Sequence, residues 1–99
     1  MRVIEKEMLA AINGGRDWSK DNTRVEAHKG HYRSYDVDVY LHGHHIAEVL
    51  CRMGCDDRVH VNRDTLRNWP TRTTMSRLRA LGVDVCTRKG EVMLNGEAI

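Results

Sequence analysis

The sequence predicts an α+β fold: a single antiparallel β-sheet, built from a meander and a C-terminal hairpin, with two helices packed on it. Three observations predict it. Residues 2–13 carry apolar side chains at helical spacing. Residues 23–62 switch to a period of two. Residues 71–94 return to helical spacing and then alternate around a turn. The expected order is α-β-β-β-(β)-α-β-β, in one domain over residues 1–99.

In the first helix Val3, Ile4, Met8, Leu9 and Ile12, flanked by Ala11, form one apolar stripe. Ala10 and Ala11 favour helix intrinsically, and Asn13-Gly14-Gly15 stops it. Residues 16–22 read as a polar connection whose Trp18 folds back onto the core. Thr23 to His28 alternates weakly, and Lys29-Gly30-His31 reads as a turn. Tyr35-Asp36-Val37-Asp38-Val39-Tyr40-Leu41 alternates strongly, with Tyr35, Val37, Val39 and Leu41 on one face. His42-Gly43-His44 interrupts it, and the apolar run 45–51 completes a hairpin. Met53-Gly54-Cys55-Asp56-Asp57 is a further turn signal. A short strand follows over 58–62, then an irregular stretch up to Trp69. Pro70 pushes the preceding residue out of helical space, and the threonines after it offer N-caps. Met75, Leu78 and Leu81 make the apolar stripe of the second helix, while Arg72, Ser76 and Arg79 share another face. Gly82 closes this helix. The segments 83–86 and 91–94 flank a turn with a basic tip, and Asn95-Gly96 is a last turn.

With 99 residues, 40% apolar and 30% charged, the core is real but thin. Self-association through an exposed sheet edge or the cysteine-bearing strand would add buried area, so a homodimer is compatible with the sequence. No apolar run approaches the roughly 20 residues of a membrane span. The acidic residues near the N-terminus do not resemble an export signal, and three cysteines cannot all pair within one chain. The expectation is a cytoplasmic protein with reduced thiols and no membrane partner. A single proline and no repeat argue against disorder or a solenoid.

Six histidines and three cysteines raise the question of a metal, centred on His42, His44, Cys51 and Cys55. Zinc sites usually show tight paired spacings, and here three residues separate Cys51 from Cys55 with no second cysteine pair. A polar turn with two half-buried cysteines explains the stretch without metal. No serine sits in a nucleophile-elbow context, no cysteine has a local base, and no carboxylate pair stands out. The expectation is a non-enzymatic protein with no cofactor and no catalytic residue.

The charge is more informative when divided. Residues 1–40 carry seven side chains of each sign, whereas residues 63–99 carry seven basic and four acidic ones. The concentration at Arg67, Arg72, Arg77 and Arg79 consists of arginine, whose fork suits bidentate contacts to carboxylate or phosphate. Together with Ser76 these residues form the expected partner-binding surface, although a solvated face with arginine stems over apolar surface would look the same. Arg88 and Lys89 at the hairpin tip are the expected nucleic-acid contacts if helix and hairpin act as a winged helix does. The absence of a helix from Val59 to Trp69, directly before the second helix, and the small net charge of +2 count against that alternative.

Two stretches carry a resemblance. Val39-Tyr40-Leu41-His42-Gly43-His44-His45-Ile46-Ala47 and the run from Trp69-Pro70-Thr71-Arg72-Thr73-Thr74 to Leu81 resemble a pattern in small accessory proteins of tailed bacteriophages. That pattern is a strand V-Y-L-H-G-x-x-I-A followed by a helix W-x-T-x-T-T-x-S-R-L-x-A-L. The chain departs from it after Leu81, where a Val/Cys/Met hairpin replaces an aromatic-rich segment. The resemblance implies a phage protein, and no residue role comes with it. Small phage proteins of this kind often bind a host or defence-system protein, such as an RNA polymerase, nuclease, restriction system or CRISPR effector. Each residue of the two stretches also has a structural use: Leu41 and Ile46 in the core, Gly43 in a turn, Trp69 over the sheet edge and the threonines as caps.

Overall fold

The computed structural model describes residues 2–29, 35–51 and 58–99. The turns expected at Lys29-Gly30-His31 and at Met53 to Asp57, with Cys55, lie wholly or partly outside the described residues. Helix α1 (Val3–Asn13) comes first, then strands β1 (Trp18–Lys20), β2 (Thr23–Lys29), β3 (Tyr35–Leu41), β4 (His44–Cys51) and β5 (Arg58–Val61). Helices α2 (Arg63–Asn68) and α3 (Arg72–Ala80) follow, then β6 (Val85–Arg88), β7 (Glu91–Leu94) and β8 (Glu97–Ala98). The fold is α+β and antiparallel throughout.

Strands β1 to β5 form one sheet in sequence order, and β6 to β8 form another. This corrects the expectation of a single sheet with two helices. Two helices intervene between β5 and β6, and the C-terminal strands lie beside α3 instead of extending the β5 edge. The segment 63–68, expected to be irregular, is a helix. Asn62 caps it, its side-chain carbonyl accepting from the Thr65 N–H at 3.1 Å. With Leu66 as its only buried side chain it has no apolar period to read. The segment 18–20 is a strand, because Asp21 and Asn22 both take positive φ and form the two-residue turn that pairs Trp18 with Val25. The other tight hairpins turn the same way, at His42-Gly43, Lys89-Gly90 and Asn95-Gly96.

The core lies between the five-stranded sheet and the helices. Val25, Val37, Val39, Leu41 and Val49 meet Met8 and Ile12 of α1, Leu66 of α2 and Leu78 of α3. Burying a side chain of this size contributes roughly 1.5–3 kcal/mol. A bulge in β4 pairs Val39 with Ala47 and Tyr40 with His45, leaving Ile46 as the extra residue. Ile46 and Ala47 are therefore both buried. The Tyr35 hydroxyl donates to the Ile12 and Asn13 carbonyls at 2.9 and 3.0 Å, tying β3 to the end of α1. Trp18 packs half-buried on the core as expected. Val3 does not share the α1 stripe: it is 68% exposed. The buried face runs through Glu5, Met8, Ala11 and Ile12.

Candidate functional site

The arginines expected to act together are divided by the turn of α3. Residues 74, 77, 78 and 81 recur at i, i+3, i+4 and i+7, so Arg77 falls on the face turned to the core. Its side chain is 5% exposed. One guanidinium N–H donates to the Glu5 carboxylate at 2.8 Å, and Nε–H donates to the Thr23 hydroxyl at 3.1 Å. The Ser76 hydroxyl donates to the same Glu5 oxygen, and the Arg2 backbone N–H reaches the other at 3.4 Å. Burial alone would push the Glu5 carboxyl up. The hydrogen bonds from Ser76, Arg77 and the Arg2 backbone, with the Arg77 charge, outweigh it and hold Glu5 below the ordinary carboxylate range. Arg77 is thus withdrawn from any contact surface, and Ser76 is partly engaged inside.

The remaining residues stay outside. Arg72 and Arg79 lie seven residues apart on the exposed side of α3. Arg72 has no ion pair or hydrogen-bond partner among the described residues. Arg79 is held by one bond from Nε–H to the Val85 carbonyl, 2.9 Å. Arg67 is exposed on α2, 3.8 Å from Asp64 across one turn. From Val85 the β6 strand runs back along α3, bringing the Thr87 hydroxyl to Met75 Sδ at 3.5 Å. The exposed tip with Arg88 and Lys89 therefore lies toward the N-terminal half of the helix.

The sheet face turned away from the helices carries a linked polar group. Asp38 accepts from His45 Nε2 at 3.0 Å and lies 3.1 Å from His28 Nε2. The Asn62 amide is 3.2 Å from the other His45 nitrogen, so both ring nitrogens of His45 are engaged. Tyr40 meets His45 edge-on, and the Arg24 guanidinium sits 4.4 Å above the Tyr40 ring. Burial first, then the Asp38 and Glu26 charges, push the Tyr40 phenol above its ordinary value. The residues suspected of metal binding do not converge. His42 and His44 lie at the β3–β4 turn, whereas Cys51 is buried at the far end of β4. Among the described residues no three His, Cys, Asp or Glu side chains form a group that could hold a metal ion.

Two recesses open at the sheet end where the β1–β2 and β3–β4 turns meet, and His42 lines both. One, of about 260 Å³, is walled by Leu41, Ile46, Thr65, Trp69 and Thr74. The other, of about 310 Å³, is lined by Lys20, Asp21, Arg24 and Tyr40 among others. Trp69 is 52% exposed and stacked on His44, with ring centroids 4.9 Å apart and planes 24° apart.

A family model for the Kyanoviridae Gp96 protein matches residues 1–98. The chain belongs to that family. Kyanoviridae Gp96 is a cyanophage protein family, in keeping with the resemblance of the two stretches to tailed-phage proteins. No curated protein and no solved structure matches the chain. Nothing in the match points to an enzyme. No helix among the described residues is long and apolar enough to cross a membrane. The two phage-like stretches, separated by 21 residues in sequence, meet in space: Leu41, His42, His44 and Ile46 from one and Trp69, Thr71 and Thr74 from the other line the apolar recess. Sequence reading missed this meeting and the Glu5–Arg77 pair. The pair did leave a signal, since an acid and a base stand on the two apolar stripes.

Proposed function

We propose that this phage protein works by binding, not catalysis, and engages a host or defence-system protein through the outward arginines of α2 and α3 and the β6–β7 tip. The observation that carries this reading is the exposure of Arg72 and Arg79 on one face of α3, two turns apart, with Arg72 unpaired among the described residues and the Arg88–Lys89 tip toward the Arg72 half of the helix. Exposed guanidinium groups suit an acidic protein surface, where arginine often carries a large share of the binding energy. The test is capture from host lysate on immobilised protein. The expected result is a stoichiometric partner retained by the wild type and lost by Arg67→Ala/Arg72→Ala/Arg79→Ala/Arg88→Ala. Equal retention by both proteins counts against the reading.

One observation favours a second reading. The order α2, a three-residue turn, α3 and a basic hairpin is that of a winged helix, and α2 answers one of the two objections to it, the small net charge being the other. A small DNA- or RNA-binding regulator would use Arg72, Arg79, Arg88 and Lys89. Gel shifts across salt separate the two readings, because phosphate contacts release counterions and weaken steeply as salt rises.

A further inference from the structure

We propose that His45 is a proton-operated latch between the five-stranded sheet and α2. Uncharged, its ring holds Asn62 in place as the cap of the helix; protonated, it releases that cap. The device is separate from the arginine surface and does not depend on that reading.

The latch follows from which atoms donate. The Thr65 N–H donates to Asn62 Oδ1 at 3.1 Å. An N–H must meet an oxygen there, so the orientation of the Asn62 amide is fixed and its Nδ2 is left for His45. Asn62 Nδ2 lies 3.2 Å from His45 Nδ1 and only donates. Nδ1 therefore accepts and carries no proton. The ring proton sits on Nε2, which faces Asp38 Oδ1 at 3.0 Å. The backbone fixes the partners, because the Asn62 N–H donates to the carbonyl of Ile46, the neighbour of His45, at 2.9 Å.

A proton added to Nδ1 sets two donors face to face. Asn62 cannot turn its oxygen to the imidazolium without taking it from Thr65, so the charged ring and the cap exclude one another. The carboxylates of this sheet face favour the charged ring. Asp38 touches it, with Glu26 of β2 and Glu48 of β4 directly across from Asp38 in register. The cations around it are engaged elsewhere. Arg24 pairs with Glu26 and lies over the Tyr40 ring, His28 shares Asp38, and His60 of β5 is opposite Glu48. Arg63 and Asp64 open α2 as exposed residues. Hydrogen bonds with an ionised member are roughly twice as strong as neutral ones, so the Asp38 contact tightens while the Asn62 contact gives way.

Helix α2 is suited to respond. It has six residues with Leu66 as its only buried side chain, and so short a helix does not hold by itself. It also carries the effect to a surface. Thr65 and Trp69 wall the apolar recess, Trp69 stacks on His44, and Arg67 is exposed. Histidine is the side chain that ordinarily changes charge between about pH 5 and 8. The capped state binds the His45 proton less well than the uncapped state. Capped α2 is therefore favoured at high pH and lost as pH falls through that range.

The experiment titrates the full-length ¹³C,¹⁵N-labelled chain from about pH 8 to about pH 5.5, above the range in which carboxylates ordinarily take up protons. It follows the His45 ring signals, the Thr65 amide and the α-carbon shifts of residues 63–68. The expected result is loss of the capped Thr65 signal and of helical shifts with the midpoint of the His45 ring. The ratio of helical to open α2 is expected to fall roughly 2- to 30-fold, the worth of an asparagine cap. In His45→Gln the helix is expected to become independent of pH over this range. Asn62→Asp keeps a capping oxygen for Thr65 and turns a second acceptor to Nδ1. It is expected to retain α2 at low pH, and it carries the test if the first variant does not fold. Unmoved Thr65 and α2 signals while His45 titrates overturn the proposal, as does a His45 ring that takes up no proton by the lower limit. So does a loss of α2 that persists unchanged in either variant.

Discussion

Arg72 and Arg77 stand five residues apart on α3, and the turn of the helix gives them opposite surroundings. Arg77 enters the core, where Glu5, Thr23 and Ser76 surround it. Arg72 points away, on the same face as Arg79, with no ion pair among the described residues. A guanidinium stripped of water must have its charge and its N–H groups matched, or it is strongly destabilising. The same group in water costs nothing to leave free and remains available to a partner. The difference teaches that counting arginines in a segment does not locate a binding surface. Their phase relative to the apolar stripe does.

The most disruptive way to probe the contrast is to break the buried pair. Arg77→Ala leaves the Glu5 carboxylate without its charge partner and is expected to cost roughly 3–5 kcal/mol, read as a large fall in Tm. Glu5→Leu/Arg77→Met removes both charges and is expected to recover most of that loss, because a well-packed apolar pair can match a buried ion pair. Failure of the double variant to recover would show that geometry, not the unpaired charge, dominates there. Acid offers a milder probe. The folded pKa of Glu5 lies below its unfolded value near 4.5. Its stabilisation is therefore complete above that pH and is lost as pH falls through the lower folded value. Urea titrations at successive pH values should show this loss in the wild type and a shallower acid dependence in Glu5→Leu/Arg77→Met.

A smaller effect is expected at the start of the same helix. The Thr71 hydroxyl accepts from the Thr74 N–H at 3.1 Å, and Thr71→Ala should cost about 1 kcal/mol by thermal melting. Smallest of all, Arg72→Ala should change stability by less than about 0.5 kcal/mol, since it removes only an exposed side chain. If the proposed contact surface is right, that variant nonetheless weakens partner capture.

Much of the fold was legible because it rests on periods. The alternation in Tyr35 to Leu41, the stripes through Met8 and Ile12 and through Met75 and Leu78, and the His42-Gly43 and Lys89-Gly90 turns all carry signals that local chemistry reads directly. Helix α2 was hidden, since one buried leucine in six residues gives no period, although Asn62 and Pro70 bracket it in the manner of a capped helix. Strand β1 was hidden behind an Asp-Asn turn, less telling than one with glycine. The second sheet could not be foreseen from alternation, which fixes the faces of a strand but not its neighbours. At the candidate site, exposure of Arg72 and Arg79 followed from helical phase. The loss of Arg77 to Glu5 followed from the same phase but required placing α1 against α3, a contact between residues 72 positions apart.

The division between inward and outward arginines is tested most directly by arginine-selective dicarbonyl labelling of the native protein, followed by peptide mass spectrometry over time. The account predicts rapid modification of Arg72 and Arg88, slower modification of Arg79, and protection of Arg77 until the chain unfolds. Labelling of Arg77 in the folded protein at the rate seen for Arg72 would contradict it.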